Sequence, residues 1–292
     1  MDSVEERIFI SKNLREKTAK SIAEILLRNK NISETKFRDK LKLKVLDGKK
    51  VYKEGYYSPP PFGIAALFGY NKDFKRLSFG TLRIKEKWPK NKYVFKREAG
   101  TATFYVSPVN ISTGMIGDFG ISLYTGNDKT IQTHFKNCVK ILDELGKFAK
   151  VGMEFRELYK QYNMLLKKYG VKKTQIILQK YNKNVGDNLG HAIPWSYEDP
   201  TETELSILSR KNFKNVKNLI RKKRIFINSK ARFKILPTMA FTLEFRAGSK
   251  KLPLLPNTSF HIMVFFLKGK KTVLINFDEI FKAVGMKYMQ TK

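Results

Sequence analysis

The chain has 292 residues and a net charge of +32, from 58 Lys plus Arg against 26 Asp plus Glu. With 42% hydrophobic and 13% aromatic residues it has a globular composition, which excludes wholesale disorder; its single Cys138 excludes a disulfide framework. One Cys and three His exclude a Cys-rich structural zinc site, and no run of 18 apolar residues exists to cross a membrane. The charged N-terminal stretch lacks the apolar segment of a secretory signal, so a cytoplasmic location is expected. No linker or repeat divides the chain, and residues 1–292 are expected to form a single domain.

Leu14, Ala19, Ile22, Ile25 and Leu26 share one stripe and predict a helix over residues 12–30. Ser33 reads as the N-cap of a second helix, with Glu34 in its first turn and Phe37 and Leu41 following. The run Ser58-Pro59-Pro60-Pro61 marks a loop. Strands are expected at Ile64–Phe68, Leu77–Ile84, Tyr93–Phe95, Ala102–Val106 and Ile116–Tyr124. A helical period then runs over residues 130–148 and again over 154–169, where Gly170 stops it. Strands return at 174–181 and 235–246, with a hairpin at 259–276 turning at Gly269. This order predicts an α+β fold with helices on one face of a curved sheet.

The basic residues are unevenly placed. From Leu205 to Leu243 there is no acidic residue, while Arg210, Lys211, Lys214, Lys217, Arg221, Lys222, Lys223 and Arg224 crowd together. Phe213, Val216, Leu219 and Ile220 recur at helical spacing, so residues 206–224 read as one amphipathic helix docked by its apolar stripe with cations outward. Such a face suits a polyanion, and counterion release would drive its binding. A second basic stretch, Lys85 to Arg97, interleaves Trp88, Tyr93 and Phe95, which read as strand core.

Several short stretches then follow in a telling order: Gly117-Asp118-Phe119-Gly120, Gly126-Asn127-Asp128, Lys150-Val151-Gly152-Met153, Gly190-His191-Ala192-Ile193, Tyr197-Glu198-Asp199-Pro200, and Leu236 to Glu244. Together they resemble the pita-bread metallopeptidases, the methionine and X-Pro aminopeptidases, over nearly the whole chain. The resemblance implies a creatinase/aminopeptidase-like fold with a curved antiparallel sheet. It also implies two divalent metals such as Mn, Fe or Co, held by two Asp, one His and two Glu, which activate a bridging water. Carried over residue by residue, Asp118 and Asp128 stand for the two Asp, Asp128 one residue closer than the family pattern. His191 stands for the metal His and Glu244 for the penultimate Glu.

The pattern is incomplete. No Asp or Glu occurs from Phe245 to Phe277, so the last carboxylate is missing, and His261 is the one metal-binding side chain near its place. No His precedes His134, and the family's second His is Tyr197 here. Independently of any metal, Arg246 on the same strand face as Glu244 would pair with it. Asp118, Asp128, His191 and Glu244 are therefore expected to be vestigial ligand positions, with no cofactor and no catalytic residue. The resemblance includes catalytically dead relatives, and some of these work on the large ribosomal subunit near the polypeptide exit.

The expected function is thus a non-catalytic, aminopeptidase-like protein that binds ribosomal RNA or the large subunit through its basic surface, with neighbouring ribosomal proteins as further partners. Histones, being basic, are disfavoured, and no membrane is expected. One alternative is an active metallo-aminopeptidase with a reduced site holding one divalent ion such as Mn or Co. The other is an unrelated basic α+β nucleic-acid-binding protein.

Overall fold

The computed structural model describes residues 2–70, 74, 77, 82, 84–173, 188–249 and 258–290. Helix α1 (Val4–Arg28) opens on a capping box, the Ser3 hydroxyl accepting from the Glu6 amide. Strand β1 (Ile32–Ser33) leads into α2 (Glu34–Val45), capped by Ser33 as expected. Then come β2 (Ile64–Tyr70), β3 (Val94–Phe95), β4 (Gly100–Val106) and β5 (Phe119–Tyr124). Two helices follow, α3 (Lys129–Phe148) and α4 (Phe155–Lys168). After them lie β6 (Val171–Lys173), β7 (Gly190–Ala192), α5 (Glu202–Ser209) and α6 (Phe213–Lys223). The long hairpin of β8 (Met239–Ser249) and β9 (Thr258–Leu267), then β10 (Lys270–Leu274) and α7 (Asp278–Val284), complete the order.

Two expectations need correction or limitation. The single helix over 206–224 is two helices: Lys211 takes a left-handed backbone (φ 52°), and Asn212 restarts the helix by accepting from the Asn215 amide. The strand expected at 174–181 lies outside the described residues, as does most of Leu77–Ile84. The aromatics of the Lys85–Arg97 stretch are structural where described: Phe95 is buried, and the Trp88 indole donates to the Leu82 carbonyl.

Beside the antiparallel β1-β3 pair, the described strands form two larger antiparallel sheets, β2-β4-β5 and β10-β9-β8-β6, with β7 also paired to β8. They meet where the Ser259 amide of β9 donates to Ser122 Oγ of β5, 2.9 Å away. Alternation along β8 and β9 gives the second sheet two faces. Phe241, Phe245 and Phe260 face the helices, touching Phe155, Tyr162 and Phe135 respectively. Thr242, Glu244, Arg246, Ser259 and His261 point the other way, toward the junction with β5. The helical layer thus takes the apolar face, and the polar residues are gathered at the seam between sheets. Among the described residues no helix is long and apolar enough to cross a membrane.

Candidate functional site: a charge-balanced buried centre

Four elements converge at the seam. Asp118 sits just before β5, His191 on β7, Glu244 on β8 and His261 directly opposite Glu244 on β9. All four side chains are buried. Two glycines permit the approach. A Cβ on Gly117 would lie 2.4 Å from the Leu14 Cβ, so glycine lets α1 come against this loop. A Cβ on Gly120 would lie 2.8 Å from the His261 ring, so glycine leaves the imidazole its seat on β5.

The close approach of α1 brings Arg15 underneath. Its guanidinium donates to the carbonyls of Asp118 (2.6 Å), His261 (2.5 Å) and Ile275 (3.0 Å), tying the two sheets together from behind. Burial lowers its pKa to about 9, which leaves it charged at neutral pH.

The acidic groups are each engaged. Asp118 Oδ1 accepts from the Tyr105 hydroxyl at 2.7 Å, and burial together with the Asp118 charge pushes that phenol well above its usual range, keeping it a donor. Glu244 Oε2 pairs with Arg246 Nη2 at 3.0 Å, as the sequence suggested. His191 Nδ1 lies 2.9 Å from the Ala192 carbonyl, so it carries the hydrogen. Its Nε2 makes no in-line hydrogen bond among the described residues but lies 2.9 Å from Glu244 Oε1 and 3.4 Å from Asp118 Oδ2. A neutral ring would turn a lone pair toward two carboxylates; a protonated one neutralises them. Burial works against that charge, but the two carboxylates outweigh it and raise the His191 pKa. Burial likewise opposes ionisation of Glu244, and the positive charge of His191 and Arg246 overcomes it, holding Glu244 well below the usual range. His261 differs: burial lowers it to about 4, so it is neutral, with Nε2 on Ser259 Oγ at 3.2 Å and a buried Nδ1 that has no hydrogen-bond partner among the described residues.

Asp118, His191 and Glu244 are therefore brought together as expected, and His261 joins them. Asp128 is not. It caps α3, its carboxylate accepting from the Thr130 and Ile131 amides. A side chain committed to a helix N-terminus is not a ligand position, so that assignment is corrected. The residue facing Asp118 from the strand before the turn is Tyr105. This was missed because the motif match attends to carboxylates, although the β4–β5 pairing sets Tyr105 opposite Gly120. At the Tyr197 position the hydroxyl donates to the Lys223 carbonyl (2.7 Å), a structural bond.

Whether a metal pair fits can be judged from the donors. Such a pair needs a surplus of negative charge from four carboxylates and one His. Here two carboxylates face an imidazolium and a guanidinium, and a phenol and a neutral imidazole stand beside them. With Arg15 behind Asp118 and Arg246 on Glu244, the two carboxylates already face buried cations and offer no surplus, and a dinuclear cage does not fit the set. One ion is a closer match: donor atoms of Asp118, Glu244 and His261 all lie within 4.8 Å of one another.

The eight basic residues separate into two groups. Arg210, Lys211, Lys214, Arg221 and Lys222 are exposed. The others are partly committed: Lys223 pairs with Glu198 (2.5 Å) and Glu204 (3.0 Å), Lys217 approaches Glu54 at 3.7 Å, and Arg224 stacks on Tyr56 and Phe226. The fully outward helix face expected for these three is corrected accordingly. Their position beside the Pro-rich loop and the Glu198 turn puts acidic and aromatic partners within reach that no periodicity could show.

No family model matches the chain, and no curated protein matches its sequence. Solved structures do match in fold. An X-Pro aminopeptidase from Thermotoga maritima superposes with a TM-score of 0.56 at 12% identity, over 93% of this chain and 61% of that one. A methionine aminopeptidase from Thermotoga maritima gives 0.56 at 11% identity, covering 90% of this chain and 94% of that one. An Xaa-Pro dipeptidase from Bacillus anthracis gives 0.53 at 14% identity, over 92% and 60%. The chain thus spans about three fifths of the X-Pro peptidases and nearly all of the methionine aminopeptidase. At these identities the likeness establishes the pita-bread fold, with its antiparallel sheets and helices, and an unrelated architecture is set aside.

Proposed function

We propose that this chain is a non-hydrolytic pita-bread protein that binds structured RNA, with the large ribosomal subunit as the favoured source. The observation that carries the reading is charge placement. At the centre, where the fold's peptidases would concentrate negative charge, the carboxylates are balanced by His191 and Arg246. Outside, Arg210, Lys211, Lys214, Arg221 and Lys222 are exposed on a stretch with no carboxylate from residue 205 to 243. Contacts from these side chains to phosphates position the protein, and RNA shape supplies selectivity.

Co-sedimentation with ribosomes over a salt series tests this. Binding that falls steeply between low and moderate salt is expected, and a flat response or no binding at low salt would overturn it. A parallel aminopeptidase assay with added Mn or Co is expected to show no turnover.

A second reading, a reduced site holding one ion, is favoured by the Asp118–Glu244–His261 grouping. In it an ion would take the place of the His191 proton, held by Asp118, His191, Glu244 and His261, and would supply Lewis acidity. Turnover that depends on added metal would support this reading and overturn the first.

A further inference from the structure

A recess of about 190 Å³ opens beside the buried centre, between the Pro-rich loop and α6. Tyr56, Tyr57, Lys217, Asn218, Arg221 and Arg224 line it, and no carboxylate does. Glu54 approaches Lys217 at 3.7 Å, and the buried carboxylates of Glu244 and Asp118 act on Arg224 from behind. Asn218 Oδ1 accepts from Arg221 at 3.0 Å, which steadies that guanidinium. The Arg224 guanidinium lies over two rings, 4.9 Å from the Tyr56 centroid and 5.2 Å from that of Phe226. Its Nε is buried with no hydrogen-bond partner among the described residues.

Two guanidiniums, one of them packed on aromatic rings, and an ammonium, with no acid in the lining, match a phosphate group better than a single carboxylate. The planar fork of arginine fits phosphate oxygens two at a time. The recess is also too large for one oxyanion alone, and its tyrosine rings offer a stacking surface for a nucleoside.

We propose that this recess binds one phosphate group of a nucleotide, with Arg221 and Arg224 on its oxygens, Lys217 adding the third charge, and the nucleoside against Tyr56 or Tyr57. The phosphate belongs either to an RNA chain or to a free mononucleotide. The claim goes beyond the RNA-binding reading, which needs only the exposed cations of α6 and of the Arg210-Lys211 turn before it.

The test uses the full chain, with adenosine 5′-monophosphate, adenosine and a labelled RNA decamer as probes in calorimetric and anisotropy titrations. The variants are Arg221→Gln, which is exposed and carries no fold risk, Arg224→Lys, which keeps charge and stem but loses the fork, and the control pair Lys211→Gln and Lys214→Gln outside the recess. The mononucleotide is expected to bind at least tenfold better than adenosine. Arg221→Gln and Arg224→Lys should each weaken it about tenfold or more, with the control pair unchanged. Displacement of RNA by the mononucleotide assigns the phosphate to RNA. Mononucleotide binding that leaves RNA affinity unaltered assigns it to a free nucleotide. Total absence of RNA binding with mononucleotide binding retained overturns the RNA reading and supports the recess. Equal binding of nucleotide and nucleoside, with Arg221→Gln matching wild type for RNA, overturns the recess.

Discussion

Replacing Gly120 by alanine tests the seating of His261 in the centre. The added Cβ would lie 2.8 Å from both Cγ and Cδ2 of His261 and 2.9 Å from its Nε2, closer than packed carbon atoms tolerate. The backbone at Gly120 is ordinary strand and would accept alanine, so the imidazole is the obstacle. Overpacking of this kind costs about 1–3 kcal/mol. His261→Ala alone removes a fully buried ring and is expected to cost about 2–3 kcal/mol, in the range of large-to-small core changes. In the double variant the clash has no partner, and alanine in place of a strand glycine becomes neutral or favourable by about 0.5–1 kcal/mol. The double variant should therefore be more stable than the sum of the singles by about 1–3 kcal/mol. Urea unfolding of the four proteins measures this directly. Additivity within about 0.5 kcal/mol would show that His261 does not rest on Gly120, and the geometry of the centre would fall with it.

Other consequences follow from the same charges. Arg246→Gln leaves Glu244 buried with one fewer cation and is expected to destabilise the protein by about 3–5 kcal/mol in urea unfolding; a loss below about 1 kcal/mol would mean the pair is not formed. His134 on α3 is buried, and burial lowers its pKa from 6.5 to about 4. The unfolded chain therefore takes up this proton first, so stability is full above pH 6.5, falls as pH drops toward 4 and levels below that. At 1.36 kcal/mol per pH unit the loss is about 3 kcal/mol, which His134→Gln should remove from the difference between pH 7 and pH 4; an unchanged difference would contradict it. Replacing the exposed Lys211, Lys214 and Lys222 by Gln should leave stability within about 0.5 kcal/mol of wild type while lowering the slope of log affinity against log salt for RNA by about 2–3; an unchanged slope would remove this face from the interface.

Much of the fold was legible because its strongest signals are local. Ser33 as an N-cap, the helical period over residues 130–148 and the stop at Gly170 need only chain neighbours to be understood. The pairing of Glu244 with Arg246 was legible for the same reason, since residues two apart on a strand share a face. Asp118, His191 and Glu244 were found through the order of their motifs, and the structure gathers them. What escaped depends on distant partners. Tyr105 has no motif of its own; only the β4–β5 pairing places its hydroxyl on Asp118. His261 stands out in the sequence near the missing carboxylate's place, but its register opposite Glu244 and its seat on Gly120 come only from the fold. Asp128 carries the same letter as a ligand, but its two accepted amide hydrogens make it a cap. The basic helix failed as a single element because a left-handed Lys211 interrupts a periodicity that continues across it.

The central claim is that Asp118 and Glu244 are neutralised from within, leaving no charge surplus for a metal pair. It is tested most directly by metal stoichiometry: load the full chain with Mn or Co, dialyse, and measure bound metal per protein beside thermal unfolding with and without the ion. The account gives no retained pair and an unfolding temperature that does not move. Two equivalents held per chain, with a rise in unfolding temperature that His191→Gln abolishes, would contradict it.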